Sequence, residues 1–294
     1  MLKRGTSPLL PDRYPNRDFF QCDILDATPK SDMVSMEHPI FSLSTKPDTT
    51  IRFYEHNGNT LEVVPSVLGL ATIWDKDILL YCISQLVEGI NRRRSDVSRT
   101  IQITAYDYLV STNKGTGGRD YLRLQTSLKR LAGTRLNTNI KTNGVRIKEG
   151  FGLIDKWKII EKSHDNNQMI AIEVTLSEWL YNAVIATQVK SMSRDYFRLR
   201  KGLERRLYEL ARKHCGNQPK WKIGIDKLLK KTGSKTTMKD FMYKIKAVVE
   251  KDHLPDYRIT LDKKTKIITF YNRSEKGRKK QCSDIMEGRF NVRN

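Results

Sequence analysis

The stretch that decides the fold runs from Leu199 to Tyr271 and begins with LRKGLERRLYELARKH at residues 199–214. Its leucines recur at three- and four-residue steps, a spacing that predicts an amphipathic helix. The elements predicted after it are a short helix at 225–231, a Thr-Gly-Ser turn at 232–234, a helix at about 237–249, and strands at 257–261 and 267–271. Two helices, a turn, a third helix and a basic hairpin is the order of a winged helix-turn-helix.

The third helix of this stretch has one apolar and one polar face. Met238, Phe241, Ile245 and Val248 share the apolar face at helical spacing. The opposite face carries Thr236, Lys239, Tyr243 and Lys246, and the loop between the two strands adds Lys263 and Lys264. Such donors and cations can reach phosphates and base edges, although an ordinary solvated helix face has a similar composition.

The composition indicates a protein with a packed core and a polyanionic partner. The 294 residues are 38% hydrophobic, and the net charge is +21. A charge this large favours nucleic acid. A membrane surface is disfavoured because there is no run of 18 apolar residues and no lipidation motif, and early prolines exclude a signal peptide. The four cysteines are scattered, without a C-x-x-C pair, so they predict neither a zinc site nor a redox motif and fit a reducing bacterial cytoplasm.

The preceding part of the chain repeats the same pattern of elements. An Asn-Gly hairpin at 51–64 precedes a strongly apolar helix at 76–90, a strand at 100–103, a helix at 105–111, a basic helix at 119–132 and further strands up to 175. The polar side of the basic helix carries Arg119, Arg123, Thr126, Lys129 and Arg130. Leu122 is a misfit on that side. The sequence therefore predicts an α+β protein with tandem winged-helix domains.

The glycine-rich stretch KGTGG at 114–118 could be a nucleotide-binding loop or a turn between two helices. A phosphate-binding loop requires Gly-Lys-Ser/Thr at its end, and the dinucleotide pattern requires a glycine where Asp120 stands. Neither requirement is met, so a turn between two helices is the better interpretation.

Four segments are predicted along the chain. They are a flexible leader at 1–32, an N-terminal winged-helix domain with extra hairpins at 33–186, a C-terminal winged-helix DNA-binding domain at 187–275, and a basic disordered tail at 276–294.

The chain resembles the plasmid replication initiators of the replication initiator protein A family over roughly residues 18–261. The resemblance rests on long strings such as KGTGGRDYLRLQTSLKRLAGTR at 114–135, EGFGLIDKW at 149–157 and DYFRLRKGLERRLYELARKHCG at 195–216. It implies a tandem winged-helix protein that binds direct repeats (iterons) in double-stranded DNA at a plasmid origin. It also implies opening of the adjacent duplex and loading of the host replicative helicase together with the host initiator. A monomer would activate replication, and a homodimer would repress the initiator's own gene.

The same resemblance assigns most base contacts to the second winged helix, where they would fall on Lys235, Thr236, Lys239, Tyr243 and Lys246. A winged-helix transcriptional repressor without an initiator role is the alternative, because it would share every DNA-binding feature.

Catalysis is not expected. A nicking initiator holds a metal with two histidines one residue apart, whereas His38, His56, His164, His214 and His253 form no such pair. We therefore expect no catalytic residue, no metal and no cofactor.

Overall fold

The computed structural model divides the chain into two compact units. The N-terminal unit is Asp12–Phe197, and the C-terminal unit is Arg198–Asn294 together with Met1–Pro11. The described residues are 8–15, 22–23, 39–56, 58–139, 141–142, 145–146, 148–161, 169–186 and 190–288. Most of the predicted leader, the predicted Asn143-Gly144 turn and the end of the predicted tail lie outside them.

The C-terminal unit is a winged helix followed by one more helix. Its elements are α5 (Gly202–His214), β12 (Lys220–Gly224), α6 (Ile225–Thr232), α7 (Met238–Lys251), β13 (Tyr257–Asp262), β14 (Ile267–Asn272) and α8 (Glu275–Met286). The three strands form an antiparallel sheet in the order β12-β14-β13. The β13–β14 hairpin is the wing, and it begins at the pair Tyr257–Asn272 and closes at Asp262–Ile267.

The N-terminal unit contains the same arrangement with an insertion. Its elements are β1 (Cys22–Asp23), β2 (Arg52–His56), β3 (Asn59–Val64), α1 (Lys76–Asn91), β4 (Thr100–Ile103), α2 (Ala105–Ser111), α3 (Gly118–Gly133), β5 (Arg135–Thr138), β6 (Lys141–Thr142), β7 (Val145–Arg146), β8 (Glu149–Gly152), β9 (Ile154–Glu161), β10 (Met169–Leu176), α4 (Glu178–Ala186), β11 (Lys190–Ser191) and a 3₁₀ helix (Arg194–Arg198).

Sheet topology shows that both units are winged helices. In the N-terminal unit the sheet order is β4-β10-β9, which places its three strands in the same relative order as in the C-terminal unit. Strands β5 and β8 between α3 and β9 pair with the β2–β3 hairpin in a separate sheet, β2-β3-β5-β8. The predicted α+β class with tandem winged helices is confirmed. The hairpin predicted at 51–64 corresponds to β2–β3.

Each third helix is held by three buried apolar side chains. They are Leu124, Leu128 and Leu131 in α3, and Phe241, Ile245 and Val248 in α7. Full burial of a side chain of this size stabilises a fold by about 1.5–3 kcal/mol. The spacing of four and then three residues is the same in both helices, so both are rotated into their cores in the same way.

Strand β12, which no pattern in the sequence indicates, completes the C-terminal sheet. Strand β12 is short and follows Pro219, and only two of its five residues, Trp221 and Ile223, are large and apolar. Its tertiary contacts identify it, since the Trp221 ring stacks on His214 and on Phe270 with centroid distances of 4.5 and 5.1 Å.

The division between the units falls later than the predicted boundary at residue 187. Strand β11 pairs with β1, and both belong to the N-terminal unit. The side chains of Tyr196 and Phe197 are buried. The structure therefore keeps the chain up to Phe197 in the N-terminal unit.

Part of the predicted leader is held by hydrogen bonds. Leu9 forms an antiparallel bridge with Leu199. The Leu10 amide donates to the Arg198 carbonyl at 2.9 Å, and Arg198 Nε donates back to the Leu10 carbonyl at 2.8 Å. Among its described residues, the leader is therefore an ordered part of the fold and differs from the prediction.

The predicted disordered tail begins with helix α8, which packs on β14. Gly277 lies so close to the Asn272 carbonyl oxygen that a Cβ atom there would come within 1.8 Å of it. At the other end of α8, the buried Asp284 carboxylate accepts hydrogen bonds from Lys220 Nζ and from the Tyr271 hydroxyl. The prediction of disorder from the basic composition is wrong for Glu275–Met286, because the contact of Asp284 with Lys220, 64 positions earlier in the chain, is tertiary. None of the helices in the described residues combines the length and apolar character needed to cross a bilayer.

The Asp284 contacts predict a pH-dependent contribution to stability. Burial opposes ionisation of this carboxyl group, but hydrogen bonds from Lys220, Tyr271 and Lys280 outweigh it and lower its pKa from 3.8 to about 2. A folded-state pKa below the unfolded one contributes stability above pH ~4 that is lost as the pH falls through ~2. Asp284→Asn should therefore lower the free energy of unfolding of the C-terminal unit by about 2 kcal/mol at pH 7 and by about half as much at pH 3.

Hydrogen exchange of the β14 and α8 amides measures this change at both pH values. Glu250→Gln, at an exposed position of α7, is the matched control and should leave exchange unchanged. Equal losses for Asp284→Asn at pH 7 and pH 3 would show that the carboxylate charge contributes nothing.

Candidate nucleic-acid interface

The polar face of α7 carries the predicted contacts in exposed positions. Lys239, Tyr243 and Lys246 are exposed, and the Tyr243 side chain retains 75% of its accessible surface. Lys235 is also exposed, whereas Thr236 is half-buried with its hydroxyl 2.9 Å from that of Ser234. The helical spacing thus predicted the solvent-facing side of α7.

The N-terminus of α7 is fixed by a cap. Thr237 Oγ1 accepts the Asp240 amide at 3.2 Å and donates to the Asp240 carboxylate at 2.9 Å. The preceding turn passes through Gly233, whose φ of +68° suits glycine. From α5, the Arg206 guanidinium donates two hydrogen bonds of 3.0 and 3.2 Å to the Lys231 carbonyl at the end of α6. In helix-turn-helix proteins the N-terminal end of the recognition helix meets the bases, so the cap and these bonds fix the position of the α7 side chains that are predicted to contact DNA.

The wing places three lysines around one ordered turn. The Asp262 carboxylate accepts the Lys264 and Thr265 amides at 2.9 and 3.2 Å. Hydrogen bonds from the side chain and backbone of Thr265, and then from Lys264, hold the pKa of Asp262 below its usual value. Lys263, Lys264 and Lys266 are exposed around this turn. The wing therefore presents cations on a backbone whose conformation is already set.

The polar face of α3 is more basic than that of α7. Arg119, Arg123 and Lys129 are exposed there. One Arg123 nitrogen lies 3.3 Å from the Asp120 carboxylate, in a pair with the arginine 77% exposed. An exposed pair of this kind contributes little to stability, so Arg123 can exchange it for another anion at little cost.

Arg130 differs from the other predicted contacts on α3. Its Nε and Nη2 donate to the two oxygens of the buried Asp75 carboxylate at 2.7 and 2.6 Å. The Asp75 carboxylate holds the pKa of Arg130 above its usual value. A buried carboxylate paired in this bidentate way becomes costly if the arginine leaves. We therefore assign Arg130 to the attachment of α3 to the start of α1 and remove it from the proposed DNA contacts.

The glycine-rich stretch 114–118 connects α2 to α3, in agreement with the interpretation as a connection between two helices. Lys114 Nζ forms an ion pair with the buried Asp77 carboxylate and lies 5.3 Å from the centroid of the Tyr108 ring. A Cβ atom on Gly115 would come within 2.5 Å of the Asp120 carboxylate. The lysine and the glycine thus serve packing at the start of α3.

Two exposed cations near the predicted contacts were not in the predicted set. Lys244 follows Tyr243 on α7, and Lys266 ends the wing turn with a φ of +55°. Helical phase excluded Lys244, since it lies about 100° from its neighbour around the helix axis. Lys266 could have been included on its position in the DKKTK hairpin.

The polar faces of α3 and α7 correspond position by position. Aligned on their three buried side chains, the helices pair Arg119 with Thr236, Leu122 with Lys239, Thr126 with Tyr243, and Lys129 with Lys246. The faces therefore share one geometry and differ in chemistry.

Two winged-helix units, each presenting a polar and basic third helix, define a tandem winged-helix protein. The family model for replication initiator protein A matches residues 30–259. A protein of Wigglesworthia glossinidia brevipalpis named "Putative replication protein" is 43% identical over 256 residues, which cover 87% of this chain and 93% of that protein. The chain belongs to the replication initiator protein A family.

Solved structures of domains 2 and 3 of RctB share the fold. One matches with a TM-score of 0.58 at 10% identity and covers 81% of this chain and 96% of RctB domains 2–3. A second matches with a TM-score of 0.54, again at 10% identity, and covers 82% and 98% of the two chains. At this identity the similarity concerns the fold.

The two helix faces predict unequal effects of single substitutions on DNA binding. Lys239→Ala should cost about 1–3 kcal/mol on the cognate repeat and relax preference at one or two base pairs, because Lys239 stands at the fixed N-terminal end of α7. Arg123→Ala should weaken binding to cognate and random duplexes nearly equally and reduce the salt slope by about one. Titrations against single-base-substituted repeats measure both effects.

Arg130→Ala is the control for these variants. It should destabilise the N-terminal unit by about 3 kcal/mol, because it leaves the Asp75 carboxylate buried without its cationic partner, whereas Arg123→Ala should change stability by less than about 0.5 kcal/mol. Thermal unfolding separates the two. A change of base preference with Arg123→Ala, and an even loss with Lys239→Ala, would reverse these roles.

Proposed function

We propose that this protein is a plasmid replication initiator that binds direct repeats of double-stranded DNA at its origin. The observation that carries the proposal is the pair of equivalent polar faces on α3 and α7, each exposed on a helix anchored by the same spacing of buried side chains. Cations on both faces and on the wing, together with a net charge of +21, favour a polyanionic partner. Family membership supports an origin as the target.

Later steps of initiation form part of the same proposal. The bound protein promotes opening of the adjacent duplex and, with the host initiator, recruits the host replicative helicase in the bacterial cytoplasm. As a homodimer it represses its own gene. These roles rest on membership of the initiator family.

Footprinting on the origin region of its own plasmid tests this function. Two modules that read one face of the duplex lie about 10 base pairs apart, so each protected repeat should span roughly 20 base pairs. Several direct repeats should be protected, and the protection should weaken steeply with salt, since each neutralised phosphate contributes about −0.9 to the log–log slope. Protection of a single inverted repeat over a promoter would support the transcriptional repressor in place of the initiator.

We propose further that the protein acts without catalysing strand cleavage. His214 stacks on Trp221 at 4.5 Å, and His253 Nε2 lies 3.2 Å from the buried Glu204 carboxylate. Both of the histidines whose side chains the structure describes thus lie against other side chains of the C-terminal unit. In the described part of the chain, no group of three or more histidine, cysteine, aspartate or glutamate side chains could hold a metal ion.

A plasmid-relaxation assay tests the absence of cleavage. Supercoiled origin plasmid incubated with the protein and Mg²⁺ or Mn²⁺ should remain supercoiled, because no two of the five histidines stand one residue apart in the sequence, as the metal site of a nicking initiator requires. The same plasmid without the protein is the control. Nicking at one defined position would contradict the proposal.

A further inference from the structure

Leu122 is an exposed apolar side chain in the middle of the basic face of α3. It retains 63% of its accessible surface, whereas Leu124, Leu128 and Leu131 on the same helix are buried. A single exposed leucine is ordinary on a protein surface. Its position is the unusual feature, because Arg119 and Arg123 flank it and the core does not use it.

Comparison of α3 with α7 shows which residue of the second helix is equivalent to Leu122. Leu122 occupies the place on α3 that Lys239 occupies on α7, in the N-terminal half of the helix. In a helix-turn-helix protein, side chains of that half approach base edges in the major groove. The two units therefore offer a cation and an apolar side chain at the same point of equivalent helices.

Thr126, one turn after Leu122 on α3, has little capacity to donate a hydrogen bond to DNA. The Thr126 hydroxyl donates to the Leu122 carbonyl oxygen at 3.0 Å, so its hydrogen is used within the helix. Arg123, the next residue after Leu122, has Asp120 as its neighbour at 3.3 Å. The centre of this face thus offers an apolar contact surrounded by positive charge.

The major groove contains one apolar group that matches such a contact, the 5-methyl group of thymine. We propose that Leu122 is a specificity-determining residue that contacts a thymine methyl group in the repeat half bound by the N-terminal unit. The inference rests on the proposed DNA-binding function and deepens it. The N-terminal unit then reads sequence through Leu122, while its arginines hold the phosphates.

Replacing single thymines of the protected repeat with deoxyuridine tests the contact, because the change removes only the methyl group. Wild-type protein should lose about three- to five-fold in affinity at one or two positions, the effect of one buried methyl group. Leu122→Ala should bind the thymine repeat with a similar loss and should no longer respond to deoxyuridine at those positions. Leu122→Met, which keeps the volume, should retain the response.

Two controls separate this contact from general effects. Ile185→Ala removes an apolar side chain that is 53% exposed on α4, and it should leave both affinity and the deoxyuridine response unchanged. Arg123→Ala should weaken binding but retain the response. Thermal unfolding of Leu122→Ala should match wild type, since the side chain is exposed.

The outcomes distinguish this inference from the proposed function. If wild-type protein binds the repeats but Leu122→Ala binds equally well, or keeps the full deoxyuridine response, Leu122 does not read a methyl group and the inference is overturned. If wild-type protein protects no duplex at all, the proposed function itself fails.

Discussion

The rotation of α3 and α7 about their own axes is fixed by three buried side chains on each helix, and the rest of the interface depends on it. Leu128 and Ile245 are the central members of these sets, and both are fully buried. Residues three or four positions apart lie on the same side of a helix, so burial of one face leaves the residues of the opposite face exposed. The core therefore sets the geometry of the surface, and the surface residues themselves contribute little to it.

Sequence reasoning predicted the elements whose signal is local. The periodic apolar helices, the Asn-Gly hairpin and the wing were all found, and their bounds agree with the structure to within a few residues. Strand β12 and helix α8 were missed for a common reason. Strand β12 is identified by the stacking of Trp221 on Phe270, and helix α8 by the hydrogen bonds that Asp284 accepts from Lys220 and Tyr271. These partners lie well apart in the sequence, so a local pattern does not show them. Only His214, which also stacks on Trp221, is near in the sequence.

Prediction of the candidate site had the same limit. Helical phase identified the exposed face of each third helix, including Lys239 and Arg123. Phase could not show that Arg130 is bound to Asp75, which lies 55 positions earlier in the chain. Nor does phase explain Leu122, an apolar side chain that the structure leaves 63% exposed among the arginines of α3. Sequence periodicity predicts the side of a helix on which a residue lies. Its hydrogen-bond partner in another element is known only from the structure.

The separation of anchoring residues from exposed residues has an evolutionary consequence. Substitutions at exposed positions such as Tyr243 or Leu122 change stability by only about 0.5 kcal/mol or less. Mutations there are therefore free to accumulate without a loss of folded protein, and selection acts on them through binding rather than through folding. Replacement of Arg130 or of a buried leucine would be removed by selection for folding. A lineage of such proteins can thus follow changes in its target sequence while the scaffold remains constant.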